Sequence, residues 1–144
     1  MKIYCTLLLS LILVGIAGCG LTSSDLGYVP QMAPPLNDVP VPVGFSMDYD
    51  SSWDRSDGGL RWANHRYSGN GPLTPLANFY EKQMPQTRWA LTTKGFAEGR
   101  ATLDFEKDSE RCRITITQKS SLFNSVQIHV DIWTHSTAKP PASN

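Results

Sequence analysis

The chain predicts an α+β domain in which one helix covers a face of an antiparallel sheet of about five to six strands, ordered ββαββββ. Three observations point there. Apolar residues recur at every second position over most of the chain after Gly44, the period of a half-buried strand. A single stretch, from Thr74 to Pro85, carries apolar residues at spacings of three and four instead. Roughly 95 residues lie between a proline-rich N-terminal part and a polar tail, a usual size for one core. A small β-sandwich or barrel plugged by the helix is the alternative.

The elements follow in chain order. Phe45, Met47 and Tyr49 alternate as a first strand, and Leu60 and Trp62 begin a second that ends near Tyr67. Thr74 suits a helix cap and Pro75 the first helical position, after which Leu76, Phe79, Tyr80 and Met84 build one apolar stripe before Pro85 ends it. Trp89 and Leu91 mark the next strand. Three further strands alternate through Ala101, Leu103 and Phe105, then Cys112, Ile114 and Ile116, then Val126, Ile128, Val130 and Ile132.

Parity constrains the last hairpins. If Leu103 and Phe105 share the buried face with Cys112 and Ile114, Phe105 pairs with Cys112 and Leu103 with Ile114, because a one-residue slip would turn every apolar side chain outward. The same register sets Glu106 against Arg111 and Asp104 against Arg113 on the outer face, with Lys107 to Glu110 as the turn. Pairing Ile116 with Ile128 then brings Asp131 beside Arg113 and Trp133 beside Arg111.

The first residues have a different character. Lys2 gives a positive start, Tyr4 to Val14 a short apolar run, and Gly15, Ala17 and Gly18 the small residues of a processing point. About 15 apolar or small residues fall short of the roughly 20 that span a hydrocarbon core. The sequence Ile16-Ala17-Gly18-Cys19 resembles the lipobox of bacterial lipoproteins. That resemblance implies cleavage of residues 1–18, a diacylglyceryl group on the Cys19 thiol, and acylation of the new amine. Two or three acyl chains hold a protein stably where one does so marginally. In that family an aspartate after the cysteine favours inner-membrane retention, and here the position is Gly20, so the outer membrane, facing the periplasm, is the implied location.

Residues 19–42 read as a lipidated cysteine followed by a spacer, with prolines at 30, 34, 35, 40 and 42. An extended polyproline conformation would let it reach on the order of 60 Å. The globular domain is placed at 43–135 and a tail at 136–144. Without Lys2 the chain carries 12 basic and 13 acidic residues, a balance that argues against nucleic acid and against a polybasic membrane clamp. Cys5 leaves with the signal and Cys19 takes the lipid. Cys112 is expected buried and reduced, with an intermolecular disulfide as the sharper alternative.

Catalytic and metal motifs fail on spacing. His129 and His135 share a face but would sit about 20 Å apart on a straight strand, too far for one metal. Asp48 to Gly59 has the oxygen-rich look of a calcium loop, yet Trp53 stands where glycine is needed and Gly59 where the bidentate glutamate is needed. Gly44-Phe45-Ser46-Met47-Asp48 lacks the last glycine of a nucleophile elbow. No catalytic residue, metal or cofactor is therefore assigned.

Tyr67-Ser68-Gly69, Phe79-Tyr80, Met84-Pro85 and Trp89 resemble a pattern in small bacterial envelope lipoproteins of unknown function, in which Tyr-x-Gly closes a strand and a strand opens on Trp. The resemblance spans roughly residues 39–120 and departs at Arg88, where the pattern has glycine. It implies location and domain, and no activity. Core packing is the default for these aromatics. The functional expectation is a non-enzymatic, lipid-held binding or structural module. It would engage another envelope protein, a peptide or a cell-wall component through a sheet edge or an aromatic groove around Trp62, Tyr67 and Trp89. A small periplasmic enzyme or metal binder, with a deep polar pocket around His65 or His129, is the alternative.

Overall fold

Alternation in the chain's second half becomes a four-strand meander, and the first half wraps around it. A computed structural model describes residues 27–120 and 122–134. The expected signal, Cys19, His135 and the tail lie outside them. The strands are β1 (Ser46–Met47), β2 (Trp53–Asp57), β3 (Leu60–Asn70), β4 (Ala90–Ala97), β5 (Arg100–Lys107), β6 (Glu110–Ser120) and β7 (Ser125–Thr134), with helix α1 (Leu73–Gln83) between β3 and β4. They form one antiparallel sheet ordered β1-β3-β7-β6-β5-β4, with β2 also paired to β3. The fold is α+β, one sheet with one helix among the described residues. The strand count and order differ from expectation: seven strands run βββαββββ.

The extra strand is β2. All five of its residues are exposed, so it carries no apolar alternation to read. Its place comes from the Gly58-Gly59 turn, whose φ values of 55° and 83° suit a two-residue hairpin and bring Asp57 opposite Leu60. The first strand is shorter than the Phe45-Met47-Tyr49 pattern suggests, since only Ser46 and Met47 pair, with Ser68 and Tyr67. The later registers agree with parity: Phe105 pairs Cys112, Leu103 pairs Ile114, Asp104 pairs Arg113 and Ile116 pairs Ile128.

Helix α1 starts one residue before Thr74, after Pro72, and has no side-chain cap. Pro85 does not end the turn abruptly. The chain tightens into a 3₁₀ turn over Met84–Thr87, stopped by Arg88 at φ 71°. The Trp89 N–H donates to the Met84 carbonyl at 3.2 Å and the Arg88 N–H to that of Pro85 at 3.1 Å. This is the paired bonding of a left-handed helix end, with Met84 and Trp89 as its buried hydrophobic contact.

The helix lays Leu76, Ala77, Phe79 and Tyr80 on one face of the sheet, over β5 and β6. On that face lie Ala63, His65, Tyr67, Leu103, Phe105, Cys112, Ile114, Ile128 and Val130, all buried. Cys112 is buried, as expected, and burial pushes its thiol well above the ordinary range.

The expected spacer needs correction. Leu36, Val39 and Val41 are buried, and the Gln31 and Val43 amides donate to the Val41 and Val29 carbonyls at 2.8 Å. Residues 27–42 thus form a strap that completes the covering layer. Asp38 fixes it. Its carboxylate accepts from Arg61 at 2.8 Å and from Lys107, while its carbonyl accepts from Thr87 Oγ1 at 2.7 Å and Trp89 Nε1 at 3.0 Å. From Cys19 to Gly27 the chain can reach at most about 28 Å, about half the expected span.

Candidate functional site on the open sheet face

The covering layer occupies one side of the sheet, which leaves the other side to solvent among the described residues. Strand parity and register arrange this open face in rows. One row runs Arg55, Trp62, Trp133, Arg111, Glu106; the next runs Trp53, Asn64, Asp131, Arg113, Asp104. Three of the chain's four tryptophans therefore share this face, near the Gly58-Gly59 end.

Trp53 and Trp62, with Arg55 and Asp57, line a cleft of about 300 Å3. Trp53 is 55% exposed despite its size. Beyond the Trp62–Trp133 pair, Trp133, Glu106, Arg111, Asp104 and Arg113 line a second hollow of about 230 Å3. Each arginine in these hollows has an acidic neighbour: Arg55–Asp57 at 3.6 Å, Arg111–Glu106 at 2.8 Å and Arg113–Asp104 at 2.6 Å. These exposed pairs add little stability. They do keep the face locally neutral while presenting many donors and acceptors.

In the middle of the face the Asn64 amide donates to Asp131 Oδ1 at 2.6 Å and lies 2.8 Å from His129 Nε2. The imidazole is therefore engaged by an amide, with no hydroxyl or thiol at that nitrogen. On the covered side His65 is 1% exposed, with Nδ1 3.0 Å from the Tyr67 hydroxyl and Nε2 3.5 Å from Asp54 Oδ1. Burial pushes the Tyr67 hydroxyl well above its ordinary range, which suits a structural link and not a proton donor. Among the described residues no three His, Cys, Asp or Glu side chains gather as a metal-ligating group.

The aromatic groove expected around Trp62, Tyr67 and Trp89 does not form. Tyr67 and Trp89 are each 1% exposed and belong to the core, whereas Trp62 projects from the opposite face. Trp89 sits under cations, with Lys107 Nζ 4.5 Å from its ring. A five-residue separation within one strand already puts Trp62 and Tyr67 on opposite sides. The partners that Trp62 does have, Trp53 and Trp133, come from β2 and β7. Searches of protein-family models, of curated proteins and of solved structures return no match to the chain.

Proposed function

We propose that this chain is a lipid-anchored protein of the bacterial envelope, held by acyl chains on Cys19 at the periplasmic side of the outer membrane, and that it works by binding without catalysis. The observation that carries the reading is the apolar signal ending in Ile16-Ala17-Gly18-Cys19. The two ends of the sheet differ in a way that supports this reading. Its strap begins at Gly27 and Tyr28, and Tyr28 packs its ring edge-on to Phe45 and Phe79 and reaches Gly71. Gly71 in turn donates to the Asn124 carbonyl at 2.8 Å. The tethered end is thus the end of the β6–β7 hairpin, and the tryptophan-lined end of the open face lies at the far side. The partner is another envelope protein or a cell-wall component.

The test is intact-mass analysis of protein from its native host, together with fractionation of a Cys19→Ala variant. The expected wild type starts at Cys19 with acyl mass added and stays with membranes after high-salt washing, while the variant does not. An unmodified chain starting at Met1, or a variant that stays bound, ends the reading.

A further inference from the structure

The geometry points to the cleft between β2 and β3 as a binding site for a neutral, flat oligosaccharide, with β-1,4-linked amino-sugar chains of the cell wall as the ligand class. The cleft is lined by two indoles, Trp53 and Trp62, together with one guanidinium and one carboxylate, Arg55 and Asp57. A pyranose ring is apolar on its C–H faces and hydroxylated around its rim, so it stacks on an aromatic plane while its hydroxyls take hydrogen bonds from an arginine and give them to a carboxylate.

Charge selects this ligand over the others an aromatic cleft could take. A quaternary ammonium would meet Arg55, and a phosphate or acidic peptide would meet Asp57. Their 3.6 Å separation leaves the cleft neutral. The row through Arg55 and Trp62 continues the chemistry. Trp133 follows Trp62, and Arg111 with Glu106 follows Trp133, so aromatic surface and neutral donor–acceptor pairs extend across β2, β3, β7, β6 and β5. At about 4.8 Å per strand this row is roughly 19 Å long, enough for several rings of an extended chain. No covalent step is involved.

The choice of a wall glycan rests on the envelope reading above, whereas the cleft's preference for a neutral saccharide does not. The test titrates full-length protein in detergent micelles with chitotetraose, following tryptophan fluorescence, with Trp53→Ala and Trp62→Ala variants checked for native circular dichroism. Phe96→Ala, on the edge strand β4, serves as the control. Saturable binding is expected, weakened about tenfold or more in each tryptophan variant and unchanged in the control. Absence of saturable binding to chitotetraose, cellotetraose and maltotetraose at millimolar concentration overturns the site. So does binding that neither variant weakens. Concentration-dependent self-association abolished by Trp62→Ala would assign the face to a second copy of the chain and also overturn it. Glycan binding by a protein found to be unlipidated would sink the envelope reading and leave the cleft standing.

Discussion

The Asp38 carboxylate accepts one hydrogen bond from Arg61 on each of its oxygens, both at 2.8 Å. Arg61 also donates to Glu110 at 2.9 Å, and Lys107 reaches Asp38 from β5. This knot ties the strap, β3 and the β5–β6 hairpin together at one end of the core.

Burial alone would raise the Asp38 pKa from its ordinary 3.8, but the hydrogen bonds and charges of Arg61 and Lys107 outweigh it and hold it at about 2. A depressed folded-state pKa contributes stability that is present above the ordinary value and lost as pH falls toward about 2. The size is about 2 kcal/mol. Asp38→Asn should therefore melt roughly 10 °C below wild type at neutral pH. The gap should close as pH approaches 2. Melting curves by circular dichroism across that range check it, and a gap independent of pH would show that the ion pairs are not its source.

Gly69 stands where the Phe45 ring crosses β3. A Cβ there would lie 2.6 Å from Phe45 Cδ1 and 2.8 Å from Cε1, inside van der Waals contact. Gly69→Ala should cost about 1 to 3 kcal/mol in urea unfolding, through displacement of the ring from the core. Combining it with Phe45→Leu should give less than the sum of the two single effects, because the smaller side chain removes the clash. Strict additivity would rule out the contact.

Arg88 holds a left-handed backbone at φ 71° to close the 3₁₀ turn before Trp89. Any L residue with a Cβ is strained there, and a β-branched one most. Arg88→Gly should be at least as stable as wild type. Arg88→Val should lose about 1 to 2 kcal/mol. Chemical unfolding midpoints decide it. A Val variant as stable as wild type would mean that the turn relaxes to another closure.

That left-handed position also shows what can be read from the chain and what cannot. The left-handed backbone before Trp89 is a demand that the residues alone do not announce. The hairpin registers are legible because Leu103, Phe105, Cys112 and Ile114 specify one face while Asp104, Glu106, Arg111 and Arg113 specify the other. Strand β2 is hidden because every one of its side chains is exposed and only its turn glycines are distinctive. The strap is hidden for the opposite reason. Leu36, Val39 and Val41 lie in a proline-rich stretch at unequal spacings of three and two, and the segment is fixed through Asp38 by Arg61, 23 residues further on. The candidate site is half legible: Trp62 stands out, but its neighbours are set by pairing that only the fold supplies.

Leu122 and Phe123, at the tip of the β6–β7 hairpin, are 88% and 77% exposed. They lie beside Asn124, whose carbonyl takes the Gly71 amide, at the end where the strap leaves toward Cys19. Phe96, half exposed near the end of β4, is at the same end. With a tether no longer than about 28 Å, an anchored protein would hold this apolar tip against the bilayer, where large apolar side chains settle at the interface. An environment-sensitive dye on Phe123→Cys of the lipidated protein should therefore blue-shift on reconstitution into phosphatidylethanolamine–phosphatidylglycerol vesicles. The same dye on Ser109→Cys, roughly 33 Å away along β6 in the opposite turn, should not. Equal shifts at both positions, or a shift at Ser109 alone, would put the domain in another orientation and turn the tryptophan-lined end toward the membrane.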